Sequence, residues 1–205
     1  MKLPSRFYAI VDPAAGHEPV ELAVLLLQAG VRILQLRLKE TSGRDFLDAA
    51  NRIGRLCRER GTLFIVNDRA DIAMLADADG VHLGQRDIPL DAGRRVVGPD
   101  KVIGISTASV EMARAAEVGG ADYIGFGPMY QGGLKNIKVA QGLEKLRAVR
   151  GAVKIPIVAI GGITEATMPE VLGAGADAAA IITDVIKAPD LTAKVRTLIR
   201  ISDAA

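Results

Sequence analysis

Residues 173–182, Gly-Ala-Gly-Ala-Asp-Ala-Ala-Ala-Ile-Ile, pass from a helix end through glycine into a short apolar run. The same order recurs at 28–34 (Gln-Ala-Gly-Val-Arg-Ile-Leu), 76–83 (Ala-Asp-Ala-Asp-Gly-Val-His-Leu) and 118–126 (Val-Gly-Gly-Ala-Asp-Tyr-Ile-Gly-Phe). Glycine suits the left-handed backbone that closes a helix C-terminus, so each stretch reads as a junction from helix to strand. The junctions form a structural rhythm and not a solenoid repeat. Working outward, strand-like runs fall at Phe7–Val11, Arg32–Arg37, Leu63–Val66, Gly80–Leu83, Val102–Ile105, Tyr123–Phe126, Ile157–Ile160 and Ala178–Ile182. Between them lie Ala-, Leu- and Arg-rich helical stretches such as Val20–Ala29, Arg44–Arg60, Val110–Val118 and Pro169–Ala174. Eight such units in 205 residues take about 26 residues each, enough for one strand and one helix. This alternation predicts a parallel sheet. An open doubly wound sheet is the alternative. No linker marks a midpoint, however, and eight units closing on themselves predict a TIM (β/α)8 barrel, one domain spanning 1–205.

Composition narrows the class. Hydrophobic residues make up 49% and charged residues 24%, which excludes an intrinsically disordered chain. The 26 Lys and Arg against 24 Asp and Glu leave a net charge of +2, with no charged tail, so nucleic acid and membranes are not expected partners. Aromatics are 3% with no Trp, which argues against base-stacking platforms and leaves the core to Ala, Val, Ile and Leu. The single Cys57 excludes an intrachain disulfide framework and any Cys-rich metal site, and it reads as a packing residue. With no signal peptide in view, a reducing cytoplasm is the expected compartment. Small molecules are the expected partners; a homo-oligomer is compatible with the sequence.

In a barrel the informative residues stand at the carboxyl ends of the strands. In the second run Gln35, Arg37 and Lys39 are spaced by two, so they share one face while the chain stays extended. Leu34, Leu36 and Leu38 take the other face and are expected under the outer helices. Two cations and an amide at a barrel mouth suit an anionic ligand. The third run ends in Asn67 and Asp68, and Asp87 lies just beyond the fourth. Carboxylates from neighbouring loops can share Mg2+, whose remaining ligands are water and phosphate oxygens. The competing reading is that Asp68 caps a helix and Asp87 sits in the turn before Pro89. After the fifth run, Ser106 and Thr107 are either phosphate donors or N-caps, with capping favoured. Gly161-Gly162 follows the seventh run, where backbone N–H groups can approach a phosphate, and Ile182, Thr183 and Asp184 end the eighth; ordinary tight-turn and capping chemistry is the equal alternative for both. The longest irregular stretch, 127–141, holds Lys135. Of the two histidines, His82 lies on a strand and reads as a core or lining residue. No protease, hydrolase or nucleotide-loop signature is present.

Taken together, "YAIVD" (from Tyr8), Gln35-x-Arg37-x-Lys39, "VNDR" (from Val66), "ADGVHLGQRD" (from Ala78), "GADYIGFGPMY" (from Gly120), "IPIVAIGGIT" (from Ile155) and "AGADAAAII" (from Ala174) resemble the thiamine-phosphate synthase family over nearly the whole chain. The resemblance implies a TIM barrel that joins a hydroxymethylpyrimidine diphosphate to a thiazole phosphate, releasing pyrophosphate with Mg2+. By position it implies that Gln35, Arg37, Lys39, Asn67, Ser106 and Lys135 hold the pyrimidine diphosphate. It assigns Mg2+ to Asp68 and Asp87, and the thiazole phosphate to Gly162, Ile182 and Thr183. Arg37, Lys39 and Lys135 would be the catalytic cations, stabilising charge on the leaving pyrophosphate. The sister thiazole tautomerase family is a weaker match, because its histidine after the fifth strand is replaced here by Ala108. A binder of the pyrimidine diphosphate, without catalysis or with another acceptor, is the third reading.

One departure stands out. Where the family carries Pro-Thr-x-Thr-Lys, this chain has Gln131-Gly132-Gly133-Leu134-Lys135, so Gly132 and Leu134 replace both threonines. In the family those hydroxyls contact the thiazole substrate. Losing them costs on the order of 1–3 kcal/mol if ligand acceptors are left unpaired. Backbone N–H groups of Gly132 and Gly133 are the available substitutes. Gly132→Thr/Leu134→Thr is therefore expected to leave the affinity for the thiazole phosphate unchanged; a clear gain on titration would show that the glycines do not replace the hydroxyls.

Overall fold

The computed structural model describes residues 2–13, 16–131 and 139–205. Eight strands alternate with helices: β1 (Phe7–Val11), α1 (Pro19–Gln28), β2 (Ile33–Leu36), α2 (Gly43–Arg60), β3 (Leu63–Asn67), α3 (Ala70–Leu75), β4 (Gly80–Leu83), α4 (Leu90–Val97), β5 (Val102–Thr107), α5 (Val110–Val118), β6 (Tyr123–Phe126), α6 (Gly142–Ala152), β7 (Ile157–Ile160), α7 (Met168–Gly173), β8 (Ala178–Ala180), α8 (Thr183–Ile186) and α9 (Leu191–Ala204). The strands pair in chain order, all parallel, and the barrel closes where Phe7 and Tyr8 of β1 meet Ala179 and Ala180 of β8. This is the expected TIM barrel.

Alternation along the strands creates two cores. Outward residues such as Phe7, Ala9, Val11, Leu34, Leu36, Ile124 and Phe126 pack beneath the helices, with Leu38 beside them. Inward residues such as Tyr8, Ile10, Ile33, Tyr123, Val158, Ala178 and Ala180 fill the barrel itself. Tyr8 and Tyr123 meet at its centre with ring centroids 6.1 Å apart. Their bulk is accommodated by small neighbours. A Cβ on Gly104 would lie 2.1 Å from the Tyr123 ring.

The structure corrects several sequence expectations. β2 ends at Leu36, although the Arg37 N–H still donates to the Val11 carbonyl at 2.9 Å. β5 runs on to Thr107, and β8 stops at Ala180. Ile182 takes helical angles (φ −109°, ψ −66°) ahead of α8, so two helices follow the last strand. Glycine at the helix ends also divides. Gly30, Gly120 and Gly175 have positive φ, as predicted. Gly80 does not: it begins β4, where a Cβ would lie 2.2 Å from the Val102 carbonyl oxygen, and Asp77 takes the left-handed angle instead (φ 49°). Close strand packing, not helix termination, requires that glycine.

Gly104→Ala should therefore destabilise the barrel by about 1–3 kcal/mol through overpacking against Tyr123. Urea denaturation measures it, and a midpoint equal to that of the parent protein would contradict the packing argument.

Candidate active site

The strand geometry fixes where polar side chains gather. At the carboxyl ends of the strands opens a pocket of about 1430 Å³. Gln35, Arg37, Lys39, Asn67, Asp68, Asp87, Ser106, Gly162, Ile182 and Thr183 all line it. Sequence reasoning selected these residues from separate strand ends and loops, and the fold brings them together. Lys135, Gly132 and Leu134 lie outside the described residues.

On one side of the mouth the cations are matched by carboxylates. Arg37 pairs with the buried Asp12, and Lys39 pairs with Asp68. Asp68 has φ 66°, and its N–H donates to the His82 carbonyl at 2.8 Å. It does not cap the helix that follows, since α3 has no side-chain cap. Asp87 accepts from the Gly84 N–H at 2.6 Å, so it is both a turn residue and a pocket residue. The two carboxyl groups are close enough to influence each other, and their acidities split. Burial works to raise Asp68, but the Lys39 hydrogen bond, the Asp87 contact and the charges of Lys39 and Arg37 outweigh it and hold it below the ordinary range. Burial and then the Asp68 carboxylate push Asp87 up, against the Gly84 hydrogen bond. Two apposed carboxylates in an open pocket form a hard oxygen donor set. Among the described residues no group of three or more His, Cys, Asp or Glu is arranged to hold a metal, so a cation here would take its other ligands from water or substrate.

The floor is a polar cluster under the mouth. Gln35, Tyr8, Tyr123, His82 and Ser106 are joined by hydrogen bonds, and burial lowers the His82 pKa to about 4. Ser106 and Thr107 belong to β5 and are not helix caps, which overturns that expectation. Ser109 caps α5 by accepting from the Met112 N–H at 3.2 Å, while Thr107 donates to the Gly125 carbonyl at 3.0 Å.

Across the mouth, Gly161 and Gly162 have φ of 99° and 69°. The segment after β6 packs directly on them: a Cβ on either would come within 2.8 Å of Pro128 or Tyr130. Beside them Thr183 opens α8, and Asp184 is held by Lys194 at 2.9 Å and by the Glu165 N–H at 2.9 Å.

Sequence reasoning missed several lining residues. Tyr8 and Ile10 on the inward face of β1 and Asp12 just past its end keep the same two-residue spacing that revealed Gln35 and Arg37, so a face-by-face reading of "YAIVD" finds them. Arg86 and Lys187 also line the pocket, exposed and without an ion pair among the described residues. Nothing in the sequence distinguishes them from solvated surface cations. Cys57 is buried in α2, its thiol pushed up to about 12 by burial and then by the Asp79 charge, which fits a packing role.

A closed parallel barrel with charged and hydrogen-bonding groups converging at its carboxyl end defines a (β/α)8-barrel enzyme acting on small molecules. Its family follows from comparison with known proteins. Residues 7–185 match the thiamine monophosphate synthase family, and the chain belongs to it. A thiamine-phosphate synthase of Moorella thermoacetica is 45% identical over 184 residues, covering 89% of this chain and 88% of that protein. One from Methanocella arvoryzae is 46% identical over 194 residues, covering 93% and 92%. The structure of a thiamine phosphate pyrophosphorylase from Pyrococcus furiosus superposes with a TM-score of 0.88 at 35% identity, covering 97% of this chain and 96% of that one. A 3-hexulose-6-phosphate synthase, at 20% identity and a TM-score of 0.68, shares the fold alone. Family membership makes the protein a transferase of thiamine biosynthesis. No helix among the described residues is long and apolar enough to cross a membrane.

Because Asp68 caps nothing and Asn tolerates its left-handed backbone, Asp68→Asn should cost less than about 1 kcal/mol of stability while lowering turnover tenfold or more. Thermal melts alongside initial rates test this; equal loss of both would assign Asp68 a structural role.

Proposed function

We propose that the protein, working as one cytoplasmic domain, joins 4-amino-2-methyl-5-hydroxymethylpyrimidine diphosphate to thiazole phosphate. The C–O bond to the diphosphate breaks, pyrophosphate departs with the bonding pair, and the thiazole nitrogen supplies the pair for the new C–N bond. The observation that carries this reading is the convergence of the amide, cation, carboxylate and glycine-pair elements on one pocket. Its volume suits two substrates held side by side.

The donor half is assigned to Gln35, Arg37, Lys39, Asn67, Ser106 and Lys135. The acceptor phosphate is assigned to Gly162, Ile182 and Thr183, which line the pocket between the glycine pair after β7 and the start of α8. Bond breaking runs ahead of bond making, so negative charge grows on the leaving pyrophosphate. Groups that bind this charge more tightly than the ground state accelerate the step. Arg37 and Lys39 fill that role at one edge, and Lys135, outside the described residues, is assigned the same role. The pairing of Arg37 with buried Asp12 holds its guanidinium in place. The thiazole nitrogen is already nucleophilic, so the protein needs no activated serine or cysteine.

Asp68 and Asp87 fit Mg2+, because two apposed carboxylates match the donor set this ion takes when phosphate oxygens complete its shell. Bound there, Mg2+ would supply positive charge to the diphosphate.

Turnover with both substrates should yield thiamine phosphate and pyrophosphate, and EDTA should abolish it. Arg37→Met should lower kcat tenfold or more. Absence of product while the pyrimidine diphosphate still binds would replace this reading with that of a donor binder or a different acceptor.

A further inference from the structure

Five side chains form one continuous hydrogen-bonded line across the barrel floor, from β2 through β1, β6 and β4 to β5. Gln35 Nε2 donates to Tyr8 Oη at 2.9 Å. Tyr8 Oη lies 2.9 Å from Tyr123 Oη, Tyr123 Oη lies 2.9 Å from His82 Nδ1, and His82 Nε2 lies 2.9 Å from Ser106 Oγ. Tyr8, Tyr123 and His82 are buried, whereas Ser106 is partly open and lines the pocket.

In such a line the sense of each bond dictates the next. An amide nitrogen only donates, so Tyr8 accepts from Gln35. The single Tyr8 proton then goes to its other partner, Tyr123. Tyr123 accepts it, and its own proton is left for His82 Nδ1. An accepting Nδ1 carries no proton, so the ring is neutral and protonated on Nε2; the bond at one ring nitrogen sets the state of the other. That Nε2–H donates to Ser106 Oγ. The Ser106 proton has no partner within the line and is free for the pocket.

We propose that Tyr8, Tyr123 and His82 are positioning residues that make Ser106 a directed donor: the line fixes the Nε2–H tautomer of His82 and turns the Ser106 hydroxyl proton toward an acceptor atom of the pyrimidine diphosphate. The ligand named here rests on the donor-site reading above; the direction of the line does not. The same hydroxyl at the end of an unpolarised chain would offer a proton or a lone pair equally well. Here the choice is made before substrate arrives, by an amide on the opposite side of the barrel.

Two measurements test this. Nitrogen-15 NMR of histidine-labelled, ligand-free protein, with His17 assigned through His17→Gln, should show His82 protonated on Nε2 and unprotonated on Nδ1. An Nδ1–H or doubly protonated ring overturns the direction of the line, and this readout needs no substrate and no variant of the line itself. Calorimetry with the pyrimidine diphosphate and Mg2+ then reads the consequence. Ser106→Ala should weaken binding about tenfold, as expected for one lost hydrogen bond to a polar acceptor. Tyr123→Phe, which keeps the ring but deletes the proton that pins Nδ1, should weaken binding severalfold in the parent protein and have no effect in the Ser106→Ala background. Additive losses would show that Tyr123 does not act through Ser106. No binding to the parent protein would overturn the ligand and the donor-site reading together, with the tautomer still deciding the line.

Discussion

Closing eight parallel strands into a ring leaves a narrow interior that only inward-facing side chains can fill. Everything at the mouth of this protein rests on how that filling is done. The chain has few aromatics, and it spends two tyrosines on the barrel centre. Gly104 on β5 clears space for the Tyr123 ring, and a Cβ on Gly125 of β6 would come within 3.0 Å of the His82 ring. A floor of phenols and an imidazole is bulky enough to close the barrel and polar enough to support hydrogen-bonding groups above it. An all-aliphatic floor would satisfy the first demand and fail the second, because Gln35 and Ser106 would lose the partners to which they are hydrogen-bonded.

Above the floor, charge is balanced locally. Arg37 and Lys39 do not stand as bare cations awaiting an anion; each has a carboxylate partner. A buried or half-buried charge without a partner is costly, so the pairing lets a charged mouth exist in a ligand-free barrel. It also divides the cations into kinds. Arg37 is tied to a buried acid and keeps its position, Lys39 shares an acid with Asp87, and Arg86 and Lys187 remain unpaired among the described residues at the rim.

The barrel was legible in the sequence because its signals repeat: period-two apolar runs, helical stretches of suitable length, and glycine at the junctions. The site was legible wherever polar residues interrupted a strand face at its carboxyl end, as at Gln35, Arg37 and Asn67. Three things were hidden. Gly80 looks like a helix terminator in sequence, yet its cause is a carbonyl on the adjacent strand, a contact no local pattern encodes. Ser106 and Thr107 look like caps because Ser and Thr favour that position; the strand simply runs two residues further and Ser109 takes the cap. The partnership of Tyr8, Tyr123 and His82 joins residues up to 115 positions apart, and it follows from barrel closure and from nothing nearby in the chain. The functional assignment itself drew on family resemblance, since carboxylates, lysines and glycine pairs at strand ends are open to capping and turn explanations one by one.

The tyrosine pair at the barrel centre has an optical consequence. The chain has no Trp and three Tyr in all, so two of its three near-ultraviolet chromophores of that kind sit face to tilted face in the hydrogen-bonded floor, at a 45° interplanar angle. Held in a fixed asymmetric setting, the pair is expected to contribute to the near-ultraviolet dichroism of the folded protein. The molecule thus carries a label-free reporter at the one place where the packing of the barrel and the chemistry of its mouth meet.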